Sequence, residues 1–186
     1  GNAQIIVQAE YANTVSERTI YQLNNRSSVY SQPQDPALIR LNMIGGDKWE
    51  YVGQWIEWEV EVPQAGFYSI IPRSLQSYYS GMYVSRKISV NGEVPFQEAG
   101  FLRFNYSSEW VTEPLHNGET EFMFYLNEGV NTMSLNLLCD TNTLFYFETR
   151  FESVIHIGLD YHSHIVASML HHLSHHLVHK THTILE

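Results

Sequence analysis

Apolar and polar residues alternate most regularly over residues 55–62, which read WIEWEVEV. The even-numbered residues of this run are apolar, and three of the odd-numbered ones are glutamate. Because successive side chains of an extended chain point to opposite faces, the alternation predicts a strand with one buried and one solvated face. Trp58 lies on the apolar face and is expected in the core.

A turn is predicted directly after this strand. Residues 63–66 read PQAG, and a second strand is predicted over Phe67–Ile71, which Pro72 is expected to end. Since a short connection is typical of a hairpin, the two strands are expected to be antiparallel neighbours.

The same kind of pattern extends to residue 138. Strands are predicted at residues 5–10, 84–90, 121–126 and 130–138, and a loop is predicted at residues 27–37. Asn91-Gly92 predicts a hairpin turn that leads into Val94–Phe96. Residues 14–20 fit either a short helix or an extended loop. Short strands with frequent turn residues predict an all-β sandwich.

The composition changes after Asp140. Nine of the ten histidines lie between His156 and His182, and leucines at 170, 173 and 177 have helical spacing. We therefore expect a β-sandwich over residues 1–165 and a His-rich helical tail over residues 166–186.

The tail histidines include three pairs at a spacing of four residues. The pairs are His171/His175, His172/His176 and His175/His179. On a helix, each pair shares a face that suits zinc or nickel. No carboxylate or cysteine accompanies them, and an exposed helix face explains them equally, so no specific metal site is predicted.

Charge and cysteine content exclude several classes of function. Ten Lys and Arg residues stand against twenty Asp and Glu residues, a net charge of −10. Nucleic acid and anionic membrane surfaces are therefore disfavoured as partners. The single cysteine, Cys139, rules out a disulfide within the chain and is expected to be a buried core residue. No apolar run reaches the length of a membrane span.

Four segments together resemble carbohydrate-binding modules of families 6 and 35. The longest is residues 53–70, GQWIEWEVEVPQAGFYSI, and the others are Gln8–Glu10, Ser89–Gly92 and Tyr125–Leu135. The resemblance implies a jelly-roll β-sandwich of the galactose-binding-like type that binds sugar without catalysing a reaction. It also implies an extracellular or cell-surface location.

A related resemblance is to the jelly-roll segment of bacterial extracellular solute-binding proteins of sugar ABC transporters. Residues 84–87, VSRK, and 91–96, NGEVPF, are similar to runs found there. This likeness implies an alternative function, that of a structural or interaction domain without its own sugar site.

In the carbohydrate-binding families, the main sugar site lies in loops at one end of the sandwich, where two aromatic rings face a pyranose. The apolar C–H face of a sugar stacks on an aromatic plane, while its hydroxyls bond to polar groups. The resemblance points to Tyr51 and Trp110 as the pair, with Trp49 as a further candidate. Alternatively, these rings close the end of the core.

A second aromatic patch lies at residues 77–83. Tyr78 and Tyr79 are candidates for a stacking platform, and Arg73 is a candidate donor to hydroxyls or to a uronate. Alternatively, these tyrosines pack on their own strands.

The resemblance also implies a structural calcium ion. Glu10 on the first strand and Asp160 in GLDY, which is similar to the closing strand of the family, are the expected ligands. Gln8 and Gln54 stand where the family often has an acid, and the loss of charge at Gln8 is expected to weaken the site.

No enzymatic activity is expected. Glu57, Glu59 and Glu61 follow one another along the solvated face of one strand, whereas a glycosidase needs two carboxyls that face each other across a cleft. The sequence has no nucleophile-elbow, zinc-protease or phosphate-loop motif.

Overall fold

The computed structural model describes residues 4–78 and 80–138 in full and the backbone of residues 149–158. These residues form twelve strands and one 3-10 turn, Gln97–Gly100. The strands are β1 (Gln4–Val7), β2 (Thr14–Val15), β3 (Gln22–Leu23), β4 (Met43–Gly46), β5 (Trp55–Val62), β6 (Gly66–Leu75), β7 (Tyr83–Val90), β8 (Leu102–Asn105), β9 (Val111–Thr112), β10 (Met123–Leu126), β11 (Gly129–Leu137) and β12 (Thr149–Gly158).

The strands form two antiparallel sheets. Sheet 1 has the order β10-β6-β12-β4-β3, with β1 beside β12 and β9 beside β6. Sheet 2 has the order β2-β5-β11-β7-β8. The predicted all-β jelly-roll sandwich is therefore confirmed. The predicted helical tail and its boundary at residue 165 lie outside the described residues. None of the helices in the described part of the chain has the length and apolarity to cross a membrane.

The strand predicted from alternation is β5, and its bounds are those predicted. Its apolar residues face inward, and Trp58 is 0% exposed. The indole N–H of Trp58 donates to the backbone oxygen of Ala9 over 2.8 Å. Tyr68, Ile70 and Phe124 of sheet 1 are buried in the same core cluster. The core thus lies between the two sheets, and the inner face of β5 contributes to it.

The predicted β5–β6 hairpin is wrong. β5 pairs with β2 and β11 in sheet 2, whereas β6 pairs with β9, β10 and β12 in sheet 1. Residues 63–65 therefore connect one sheet to the other. Each strand has one apolar face, and packing the faces against each other across the core buries them both. Pro72 also does not end β6, which continues to Leu75.

The turn at Asn91-Gly92 is confirmed, but the strand expected after it is not formed. Both residues have positive φ, 51° and 82°, as a two-residue hairpin turn of type I′ requires. The pairing stops after one bridge, Val90 to Glu93, and β7 pairs with β8 instead. Phe96 lies outside both sheets, and its ring packs on Phe122 and Phe124 at centroid distances of 5.3 and 5.2 Å.

The structure also describes the two segments that are predicted without a regular strand. Residues 14–20 contain the short strand β2 followed by turns, so they form no helix. The predicted loop at residues 27–37 is confirmed as part of the long connection between β3 and β4, residues 24–42.

Candidate functional site

The strand registers show which loops lie at the same end of the sandwich. In sheet 1, Gly45 of β4 and Leu75 of β6 both pair with Arg150 of β12. In sheet 2, Trp55 at the start of β5 pairs with Asn136 near the end of β11. The ends of β4 and β6 are therefore level with each other, and the start of β5 is level with the end of β11.

One backbone hydrogen bond joins these ends of the two sheets, and a second holds the end of β8 to the start of β7 within sheet 2. The N–H of Ser107 donates to Gln76 over 2.8 Å across the sheets, and the N–H of Tyr106 donates to Met82 over 2.9 Å within sheet 2. Gln76 follows β6, Met82 precedes β7, and both donors follow β8. The loops at residues 47–54, 76–82 and 106–110 consequently emerge together, at what we call the loop end. The predicted stacking residues that the structure describes, Trp49, Tyr51, Tyr78 and Trp110, all lie in these loops.

Trp110 is held in place by two contacts from distant parts of the chain. Its indole N–H donates to the hydroxyl of Ser27 over 3.1 Å. The guanidinium of Arg73 lies 5.4 Å from the centroid of its ring and donates to the hydroxyl of Ser28 over 2.8 Å. Trp110 is half-buried, so these contacts orient the ring while leaving part of it open to solvent.

Arg73 lies on the outer face of sheet 1. Ile70 and Pro72 line a small space in the core, and alternation along β6 turns Arg73 to the opposite side. The sequence points to Arg73 and Trp110 but not to Ser27 and Ser28. Their partners are 83 and 45 residues away, and no local pattern reports such contacts.

Tyr51 is 54% exposed and sits on a fixed loop. Its backbone N–H donates to the side-chain oxygen of Gln54 over 2.9 Å, and the Gln54 amide donates to Glu17 over 3.2 Å. Gln54 is itself buried. The glutamine that departs from the family pattern thus orders the loop that presents Tyr51.

Trp49 is placed in the core, which corrects its proposed stacking role. It is 0% exposed, and its indole N–H donates to the backbone oxygen of Gln54 over 3.2 Å. The buried guanidinium of Arg86 lies 4.5 Å from its ring centroid, and burial lowers the pKa of Arg86 to about 9. The ring of Trp49 has no face for a sugar because it is enclosed beneath the Tyr51 loop.

The second aromatic patch is described only in part. Tyr78 is 55% exposed, and its backbone N–H donates to the side chain of Gln76 over 2.9 Å. Tyr79 lies outside the described residues. Tyr78 therefore adds an open ring to the loop end.

Glu10 is a buried carboxyl, 1% exposed. The register of β1 and β12 sets Gly158 opposite Gln4 and Ile155 opposite Val7, so Glu10 lies beyond the other end of β1 from Gly158. This register gives no support to the expected proximity of Glu10 and Asp160, and Asp160 itself lies outside the described residues.

A calcium ion takes six to eight oxygen ligands. Among the described residues, no three His, Cys, Asp or Glu side chains lie together. The ion stays a prediction. Cys139 and the histidine pairs of the tail also lie outside the described residues.

Glu10 is expected to make stability depend on pH. Burial raises its pKa from 4.5 to about 7, so the folded state binds the proton more tightly than the unfolded state. The stability that protonated Glu10 contributes is present below about pH 4.5 and is lost as the pH rises through about 7. Between pH 5 and pH 7.5, the loss of unfolding free energy is on the order of 2 kcal/mol. Urea unfolding with a calcium chelator at pH 5 and pH 7.5 measures it, and Glu10→Gln should flatten the change. An equal change in the wild type and in Glu10→Gln would contradict the assignment of this pH dependence to Glu10.

The sequence matches no protein-family model and no curated protein. The fold, in contrast, matches 41 chains of solved structures. A family 35 carbohydrate-binding module from Clostridium thermocellum aligns with a TM-score of 0.54 and 18% identity, over 83% of this chain and 97% of the module. The chain has the fold of these modules. This alignment confirms the fold that the sequence resemblance predicts.

Two further matches are regions of larger enzymes. The cycloisomaltooligosaccharide glucanotransferase of a Paenibacillus species, complexed with cycloisomaltoheptaose, aligns with a TM-score of 0.55 and 18% identity over 83% of this chain and 18% of the enzyme. A β-(1,4)-mannanase of Podospora anserina with a family 35 module aligns with a TM-score of 0.54 and 12% identity over 88% of this chain and 29% of the enzyme. The chain thus spans less than a third of either enzyme. At these identities the likeness establishes the fold alone.

Proposed function

We propose that this chain is a non-catalytic carbohydrate-binding module of a secreted or cell-surface bacterial protein, and that it holds glycan at the loop end. The observation that carries the proposal is that open aromatic rings lie on several loops at this one end of the sandwich. Tyr51, Tyr78 and Trp110 come from three separate loops, and each is at least partly exposed. The fold shared with carbohydrate-binding modules supports the same function.

The chemistry of these rings suits a sugar. Each ring offers an apolar plane to the C–H face of a pyranose. Stacking removes this C–H face from contact with water. Arg73, fixed beside Trp110, supplies N–H donors for a hydroxyl or for the carboxylate of a uronate. Because hydrogen bonds already position the Trp110 ring and the Tyr51 loop, binding orders few side chains.

Calorimetric titration with mono- and oligosaccharides, including uronates, tests the proposal after a glycan array has ranked the ligands. We expect saturable heat with at least one glycan class. Tyr125→Ala is a matched control, because Tyr125 is 51% exposed and pairs with Phe67 near the start of β6, at the opposite end from the loops. This variant should bind as the wild type does. Silence across the array would contradict the proposal.

A second candidate is an interaction domain of an extracellular solute-binding protein of an ABC transporter, without its own sugar site. The observation that favours it is an exposed apolar stretch on the 24–42 loop. Val29, Tyr30, Leu38 and Ile39 are 54–78% exposed. Exposed apolar surface of this kind suits contact with another domain. Absence of binding to every glycan of the array, together with co-purification of a neighbouring domain, would favour this candidate.

A further inference from the structure

The 24–42 loop lines a partly open pocket of about 200 Å³, apart from the Tyr51 loop. Its lining includes Asn24, Arg26, Asp35, Leu38 and Arg40. At about 30 Å³ per water, this is the space of about seven waters, which suits one sugar ring. Nothing in the sequence pattern indicated this pocket.

The pocket is preorganised although the loop has no regular secondary structure. Asn42, 0% exposed, accepts from the N–H of Asn25 over 2.7 Å and donates to the backbone oxygens of Asn25 and Pro33 over 2.9 and 3.2 Å. The Asp35 carboxylate accepts from the N–H groups of Ala37 and Leu38 over 2.9 and 3.0 Å. These bonds tie both sides of the loop together, so a ligand need not order it.

The lining combines donors, acceptors and apolar surface. Arg40 and Asp35 lie 3.5 Å apart and offer guanidinium donors beside carboxylate acceptors. Sugar hydroxyls both donate and accept, so neighbouring groups of opposite kind suit them. Pro36 and Leu38 add apolar surface for the C–H face.

The pocket is also adjacent along the chain to a residue of the Trp110 site. Arg26 lines the pocket, and the next residue, Ser27, accepts the hydrogen bond from Trp110. We propose that the pocket of the 24–42 loop is a second sugar subsite, which binds one hexopyranose unit beside the ring of Trp110. The proposal shares the glycan ligand with the proposed function, but it concerns a different set of residues.

Backbone amide NMR shifts test the subsite locally. Glucose, galactose, mannose and glucuronate are titrated separately into the whole chain, and the amides of Asn24, Arg26 and Arg40 are followed. We expect saturable shifts with at least one of these sugars. Leu38→Trp, which fills the pocket from a half-exposed position, should weaken binding at these amides about tenfold or more. Ile39→Trp should leave it unchanged, because Ile39 is 77% exposed and is not part of the lining.

The outcomes separate the two proposals. Shifts confined to the amides around Tyr51 and Trp110 would overturn the second subsite and leave the proposed function standing. Shifts at the 24–42 amides that Leu38→Trp abolishes would support the subsite even if Trp110→Ala had no effect. Absence of shifts at those amides with all four sugars would overturn the second subsite. Equal shifts in Leu38→Trp and Ile39→Trp would overturn it as well.

Discussion

Replacement of Trp58 by alanine is expected to lower the free energy of unfolding by about 3–5 kcal/mol, as for large aromatic residues deleted from other cores. Trp58 is 0% exposed at the centre of β5, so its removal leaves a cavity between the sheets. It also removes the donor to the backbone oxygen of Ala9 and leaves that buried acceptor without this bond. Urea unfolding followed by circular dichroism measures the change.

Trp55→Ala is the matched control for this prediction. It deletes the same side chain from the same strand, but Trp55 lies on the outer face and is only half-buried. We expect it to cost less than about 1 kcal/mol. If both variants lost the same stability, the assignment of the inner and outer faces of β5 would be wrong.

Replacement of Trp110 by alanine is expected to weaken glycan binding about 10- to 100-fold, which corresponds to about 1.4–2.8 kcal/mol. The variant removes a stacking surface that Ser27 and Arg73 hold in place. Calorimetric titration with the best ligand from the array measures the loss.

Trp110→Phe distinguishes stacking from a structural role. It keeps an aromatic plane but loses the indole N–H that bonds to Ser27. If stacking provides the affinity, this variant should retain most of the binding that Trp110→Ala loses. Unchanged affinity in Trp110→Ala, with the fold intact, would remove Trp110 from the site.

Local patterns predicted individual elements well because their cause is local. Alternation of apolar residues with glutamate gave the bounds of β5, and Asn91-Gly92 gave a turn with two positive φ angles. The same patterns do not say which sheet receives a strand. β5 and β6 are joined by a short connection, yet they face each other across the core.

The candidate site was only partly predictable for a related reason. The resemblance predicts Tyr51 and Trp110 as loop residues, and both lie at the loop end. Trp49 is two residues from Tyr51, but Gln54 and Arg86 enclose it, and a sequence pattern does not distinguish the two environments. The pocket of the 24–42 loop depends on pairings across the loop, such as Asn25 with Asn42, that have no periodicity.

The indole N–H signals of the four tryptophans provide the most direct test of glycan binding at the loop end. One NMR titration with the best glycan from the array reports on Trp49, Trp55, Trp58 and Trp110 together. We predict that the signal of Trp110 shifts and saturates, while those of Trp49 and Trp58 stay in place because both are 0% exposed in the core. An unmoved Trp110 signal at saturating glycan would contradict the account.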